Sequence, residues 1–281
     1  MRRLARKLGQ KFMVRQPEGV VFADLEDIHP IGNKRSGLIT NKAGRVVLRA
    51  RHKGRVVKLY EAFSAEHAHF IAAVSAVLPH LFPRVLQLRG NWVMAEWVEG
   101  QPLTDALEEY QANMLRCIHA LPLDDLPSSG FCYWHDFLVP RFLRAATLVN
   151  CTKIANRLLQ EINISDESRI IMHPDLSPAN LQRTADGRII SIDNELLCIG
   201  TMPVLDLCNA MRSLPQEQRD HLAEIWFAKT PVTQQIISRT AKAWIVREVG
   251  SAFVSGQMQR CHTLFKTMEG NHLAWLPFSK R

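Results

Sequence analysis

Residues 170–193 read Ile-Ile-Met-His-Pro-Asp-Leu-Ser-Pro-Ala-Asn-Leu-Gln-Arg-Thr-Ala-Asp-Gly-Arg-Ile-Ile-Ser-Ile-Asp. Three polar residues stand at telling intervals: Asp175, Asn180 and Asp193. Asp186-Gly187 is a tight-turn dipeptide between two short apolar runs, so the stretch is expected to form a β-hairpin. The hairpin folds Asp193, at the end of its second strand, back beside Asn180, just before its first. A carboxylate and an amide oxygen then converge, a donor set that suits a hard cation such as Mg²⁺ shared with phosphate. Asp175 lies one loop away, placed to take a proton from an attacking hydroxyl.

This pattern resembles the catalytic core of the kinase-like phosphotransferases, in the branch of the aminoglycoside and choline kinases. That branch carries His-Gly-Asp-x-x-x-x-Asn followed by Ile-Asp-Trp/Phe-Glu. Here the matching stretches are His173-Pro174-Asp175 through Asn180, and Ile192-Asp193-Asn194-Glu195. The resemblance implies Asp175 as catalytic base, with Asn180 and Asp193 holding the metal. Pro174 stands where Gly is usual and Asn194 where an aromatic is usual. It implies a bilobal α+β fold, with a small antiparallel β lobe over residues 1–97 and a mainly helical lobe over 98–281. ATP and Mg²⁺ are the implied cofactors.

Working outward, residues 30–60 alternate short β-branched runs with Gly, Asn and Lys, which reads as an antiparallel meander of three or more strands. Gly32–Gly37 and Asn41–Gly44 are the two candidate phosphate-covering turns. Lys58 sits inside the apolar run Val57-Lys58-Leu59, and by resemblance it pairs the α- and β-phosphates. Residues 64–78 read as a helix capped by Ser64. The resemblance asks for a Glu to hold Lys58, with Glu66 as first choice and Glu61 as second. Residues 84–88 and 91–97 read as a β-pair around Gly90. By resemblance the segment that follows is the hinge, where backbone groups from Glu96 to Val98 bond adenine and Met94 lies near the pocket.

Beyond the hinge, helices are expected at 104–121 and 137–159. The aromatic segment Phe131–Phe137 between them is a candidate wall of the acceptor pocket. Gly200–Leu207 resembles the family's Gly-Asp-Pro-x-x-Asp-Leu segment, which gives Asp206 the task of bracing the catalytic loop. His173 is expected to be a structural hydrogen-bonding residue. Two or three helices are expected after Pro215.

The chain of 281 residues carries a net charge of +8. Residues 1–60 hold 15 Lys/Arg against 4 Asp/Glu, so the basic excess belongs to the N-terminal part. Leu4, Leu8 and Phe12 among Arg and Lys suggest a short amphipathic basic helix over 2–14, suited to an anionic membrane surface. No apolar run reaches the length of a membrane span. The six cysteines are scattered without a C-x-x-C pair, which points to a reducing, cytoplasmic setting. No nucleic-acid motif appears. The Ala-Pro-Glu and Asp-Phe-Gly markers of protein kinases are missing, so the expected acceptor is a sugar or other small molecule. The basic N-terminal part suggests an anionic, membrane-anchored acceptor, and the resemblance extends in size and superfamily to kinases of bacterial lipopolysaccharide core sugars, which makes such a lipid-linked sugar the leading candidate. The alternatives are a soluble aminoglycoside, choline or sugar kinase, and a catalytically inactive binding scaffold.

Overall fold

The computed structural model describes residues 22–31, 47–162, 169–268 and 272–278. The candidate covering turns at 32–37 and 41–44 and the basic helix at 2–14 lie outside the described residues. Five strands come first: β1 (Leu25–Pro30), β2 (Val47–His52), β3 (Arg55–Glu61), β4 (Val85–Arg89) and β5 (Trp92–Glu96). They form one antiparallel sheet in the order β1-β2-β3-β5-β4. The β2–β3 turn is Lys53-Gly54, both at positive φ, as a two-residue hairpin loop requires.

The period of two in β3 decides which way Lys58 faces. Val57 and Leu59 join Leu48, Ala50, Trp92 and Met94 in a small cluster on one face of the sheet. Lys58 and Tyr60 take the other face, and Tyr60 joins the main core with Val47, Val93 and Ala95. Met94, expected near adenine, is instead fully buried in the small cluster, opposite Leu59 and on the face away from Lys58.

Helix α1 (Ala65–Val77) joins β3 to β4 and is capped by Ser64, whose hydroxyl accepts the His67 N–H at 3.0 Å. It buries Ala68, Phe70, Ile71 and Val74 against the main core. The expected lobe boundary at 97/98 falls where the chain leaves β5 and crosses to β6 (Gly100–Pro102). Gly100 is required there, because an added Cβ would lie 2.7 Å from the Arg183 carbonyl.

The remainder is mostly helical. Helix α2 (Leu107–His119) is followed by a six-residue π-helix (Tyr133–Leu138), α3 (Val139–Leu148) and α4 (Thr152–Glu161). The single helix expected over 137–159 is therefore broken. Asn150 adopts φ 57°, a left-handed conformation that Asn tolerates, and Cys151 N–H closes onto the Ala146 carbonyl. Strand β7 (Ile170–Met172) pairs with β10 (Cys198–Gly200), and β6 pairs with the hairpin β8 (Leu181–Thr184) and β9 (Ile189–Ser191). Helices α5 (Pro203–Ala210), α6 (Gln216–Phe227), α7 (Gln234–Val254) and α8 (Met258–Thr267) complete the described chain. Among the described residues no helix is long and apolar enough to cross a membrane.

Candidate active site

The β8–β9 hairpin turns at Asp186-Gly187, with Gly187 at φ 84°. Thr184 N–H donates to the Arg188 carbonyl at 2.9 Å, and Asp186 accepts from Arg188 Nε at 2.7 Å. The return brings Ile192 N–H onto the Asn180 carbonyl at 2.9 Å. Asn180 Nδ2 donates to the Asp175 carbonyl at 2.8 Å. Asp175, Asn180 and Asp193 are thereby brought together by one set of local bonds, and Lys58 joins them from β3.

Lys58 Nζ donates to the Ile192 carbonyl at 2.9 Å and to Asp193 Oδ1 at 3.4 Å, and pairs with Glu195 Oε1 at 3.0 Å. Burial alone would lower the ammonium's pKa, but the Glu195 and Asp193 carboxylates raise it, so the charge persists. Burial and then the Asp193 charge push the Glu195 carboxyl up to about 7, against the pull of Lys58. Burial would also raise Asp193, yet Lys58 and the hydrogen bonds from Glu195 and Lys58 hold it low. Of the two carboxyls, Glu195 therefore takes up a proton the more readily and Asp193 holds its charge the more firmly.

The folded protein retains a proton at Glu195 that the unfolded chain has released above its ordinary value of 4.5. The stability this group contributes is full below that value and is lost as pH rises through about 7. In metal-free protein the melting temperature should fall more steeply between about pH 5 and 8 than it does in Glu195→Gln. Superimposable profiles would remove Glu195 as the cause.

Glu66 does not hold Lys58. It is exposed on the first turn of α1, where its Cβ faces Gly130. Glu61 stands on the opposite face of β3 from Lys58 and accepts from Asn91 Nδ2 at 3.0 Å. Both partners of Lys58 come from 193–195 instead. What ties α1 to this region is His67, which the sequence did not flag. Its Nδ1 accepts from Phe63 N–H at 3.1 Å, so Nε2 carries the proton and donates to the Leu197 carbonyl at 2.7 Å.

Asp206 Oδ2 accepts the His173 N–H at 2.7 Å and meets His119 Nε2 at 3.0 Å. The His173 ring stacks on Phe82, and its Nε2 meets Asn194 Oδ1 at 3.1 Å and Ser191 Oγ at 3.0 Å. Asn194, unexpected by type, therefore spends its amide on His173. Asp206→Ala would strand the buried His173 N–H and leave the part-buried His119 ring without this partner, and should cost about 3 kcal/mol in urea unfolding. A loss under about 0.5 kcal/mol would show that the bracing is dispensable.

Asp175 Oδ1 forms an ion pair with Arg212, just beyond α5, and both side chains remain about one-fifth exposed. No motif announced Arg212. Its Nε donates to the Asn209 carbonyl at 3.2 Å, which fixes the guanidinium beside the carboxylate.

The donor set fits a magnesium ion. The Asn180 amide nitrogen is committed to Asp175, which leaves the amide oxygen as the atom for a ligand. Asp193 is 34% exposed against 6% for Glu195. Among the described residues no group of three or more His, Cys, Asp or Glu forms a metal cage. One carboxylate and one amide oxygen suit a cation that completes its shell with water and phosphate.

Glu96 and Val98 are not part of this cluster. They line a cavity of 440 Å³ with Phe82, Arg84 and Ile190, and Glu96 N–H is already bonded to the Arg84 carbonyl at 2.9 Å. The aromatic segment at 131–136 lines a larger cavity of 680 Å³ together with Met172, Cys198 and Leu205. Neither cavity is lined by Lys58, Asp175, Asn180 or Asp193.

The Phosphotransferase enzyme family profile matches residues 27–233. No curated protein matches the chain by sequence. Choline kinase LicA from Streptococcus pneumoniae is similar in structure, at 13% identity and TM-score 0.58, covering 87% of this chain and 95% of that one. LicA in complex with AMP is similar at 13% identity and TM-score 0.57, covering 95% and 98%. Aminoglycoside-3'-phosphotransferase of type VIII is similar at 18% identity and TM-score 0.51, covering 72% and 88%. These likenesses establish the protein-kinase-like fold expected from the sequence.

Proposed function

Because the chain belongs to the phosphotransferase enzyme family, we propose that it transfers the γ-phosphoryl group of ATP, with Mg²⁺, to a hydroxyl of a sugar or other small molecule. The observation that carries this reading is the convergence of Lys58, Asp193, Asn180 and Asp175 on one short stretch of surface. The AMP complex of a structural relative supports a nucleotide ligand.

Asp175 orients and deprotonates the acceptor hydroxyl, which attacks the γ-phosphorus in line. Lys58 neutralises charge on the nucleotide phosphates, and Glu195 and Asp193 keep its ammonium charged until the nucleotide arrives. Asn180 and Asp193 would hold the magnesium ion, which when bound supplies positive charge to the transferring phosphate. Backbone groups between Glu96 and Val98 take the adenine. Residues 1–97 cover the nucleotide, and residues 98–281 hold the catalytic loop and the acceptor.

The leading specific acceptor is a sugar of the lipopolysaccharide core. The 15 Lys/Arg against 4 Asp/Glu in residues 1–60 support this, because they suit peripheral contact with an anionic membrane surface from the cytoplasmic side. The test is ATP consumption by the full chain with Mg²⁺ against lipopolysaccharide core fragments, neutral sugars, choline and aminoglycosides. Acceptor-dependent turnover that disappears in Asp175→Ala supports the reading. Turnover with choline or an aminoglycoside alone would replace the lipopolysaccharide acceptor. Absence of both turnover and nucleotide-dependent stabilisation would leave a binding scaffold.

A further inference from the structure

Helix α2 lies against the loop that carries Asp175. Gln111, Leu115 and His119 follow one another on it at four-residue spacing and so share one face. Gln111 and Leu115 are fully buried there. This face fastens the catalytic loop on both sides of Asp175. His119 Nε2 meets Asp206 Oδ2, which accepts the His173 N–H, two residues before Asp175. Gln111 Nε2 donates to the Leu176 carbonyl, one residue after Asp175, at 2.9 Å. At 1.5 Å of rise per residue the two supports stand about 12 Å apart along one helix.

The amide of Gln111 also reaches a second element. Its Nε2 donates to the Ala210 carbonyl at 3.0 Å. Ala210 is the last residue of α5, where helical carbonyls run out of intrahelical donors, and Arg212 follows two residues later. Arg212 Nε is held by the Asn209 carbonyl at 3.2 Å, on the same last turn. One planar amide therefore joins the backbone beside Asp175 to the backbone beside Arg212, and those two side chains pair with each other.

The orientation of the amide follows from its partners, because turned over it would set its oxygen against two carbonyl oxygens. Its oxygen has no hydrogen-bond partner among the described residues. A buried acceptor left unpaired costs free energy. The gain from the residue lies in its two donors, which hold two separate stretches of backbone at one spacing.

We propose that Gln111 is a positioning residue for phosphoryl transfer. By gripping the Leu176 and Ala210 carbonyls together, it sets where Asp175 stands relative to Arg212, and so where the acceptor hydroxyl meets its base. The proposal rests on the reading of Asp175 as that base. Gln111 is buried and acts without touching either substrate. Lys58 takes its partners from residues 192–195, away from this amide. Loss of Gln111 should therefore act on turnover and leave nucleotide affinity in place.

The test compares Gln111→Met, which keeps the length and loses both N–H groups, with Leu222→Ala, which removes buried apolar volume on α6 and no hydrogen-bonding group. The assay is ATP consumption by the full chain with Mg²⁺, with water alone and with lipopolysaccharide core fragments, neutral sugars, choline and aminoglycosides. Gln111→Met should lower kcat about 30-fold or more, since misplacing a reacting group by about 1 Å can cost about 10²-fold. Its KM for ATP and its nucleotide-dependent thermal shift should stay within about twofold of wild type. Leu222→Ala should lose melting temperature and keep kcat within about threefold when assayed well below melting. Hydrogen exchange of the nucleotide-free chain should quicken together in segments 173–180 and 207–212 of Gln111→Met. Gln111→Asn, an amide one methylene shorter, should fall between Met and wild type, and it carries the test if the Met variant fails to fold. The inference is overturned if kcat in the Gln111 variants falls no further than in Leu222→Ala, if KM for ATP rises in step with the loss of kcat, or if exchange in the two segments is unchanged. A wild-type chain with neither ATP consumption nor nucleotide-dependent stabilisation overturns the kinase reading itself, and the inference falls with it.

Discussion

Asp175→Asn is expected to lower kcat by about 10²–10⁴ while leaving the affinity for Mg²⁺ and nucleotide unchanged. The amide keeps the shape of the carboxylate and loses the ability to accept the hydroxyl proton. Lys58 has partners of its own in the Ile192 carbonyl, Asp193 and Glu195. The Asp175 carbonyl, which holds Asn180 at 2.8 Å, belongs to the backbone and survives the substitution. Arg212 loses its ionic partner, but it is about one-fifth exposed and water takes up part of that loss. Melting should therefore move little. The decisive measurement is steady-state turnover alongside nucleotide-dependent thermal shift. Normal turnover would exclude Asp175 as base, and loss of the nucleotide shift would mean that it helps build the nucleotide site.

Asp193→Ala should lower turnover by about 10³-fold or more and abolish the extra stabilisation that Mg²⁺ adds to nucleotide binding. The fold should survive, for a reason visible in the geometry. Lys58 keeps Glu195 at 3.0 Å and the Ile192 carbonyl at 2.9 Å, so its ammonium is not left unpaired. Removal of Asp193 also removes the charge that raises the Glu195 carboxyl. Glu195 then ionises more readily and becomes the better partner for Lys58. The readouts are turnover and the thermal shift with nucleotide, each with and without Mg²⁺. A Mg²⁺-dependent shift of full size in Asp193→Ala would move the metal to other ligands.

The part of this architecture that local sequence dictates was legible before any coordinates. Asp186-Gly187 announces the tight turn, which closes as the three residues 185–187 between Thr184 and Arg188, alternation sets the faces of β3, and Ser64 caps α1. Those rules act over a few residues, and they place Asp175, Asn180, Asp193 and Lys58. What escaped depends on distances across the chain. Glu66 lies on the expected helix, but only the rotation of α1 about its axis decides whether it faces β3 or Gly130. His67, one residue on, takes the inward direction and meets a carbonyl 130 positions away. Arg212 meets Asp175 across 37 residues and belongs to no spaced pattern. The break of the 137–159 helix at Asn150 was hidden because the apolar spacing on either side remains helical.

Lys58 draws both of its carboxylates from Asp193 and Glu195, two positions apart on one strand exit. The charge arrangement that prepares the nucleotide site is therefore written into a single loop and the strand facing it. Helix α1 contributes the imidazole of His67, whose Nε2 donates to the Leu197 carbonyl beyond that loop. A signal that swung α1 aside would break that bond and leave the ammonium and its two carboxylates as they were. Control by helix displacement thus has no electrostatic lever to pull among the described residues.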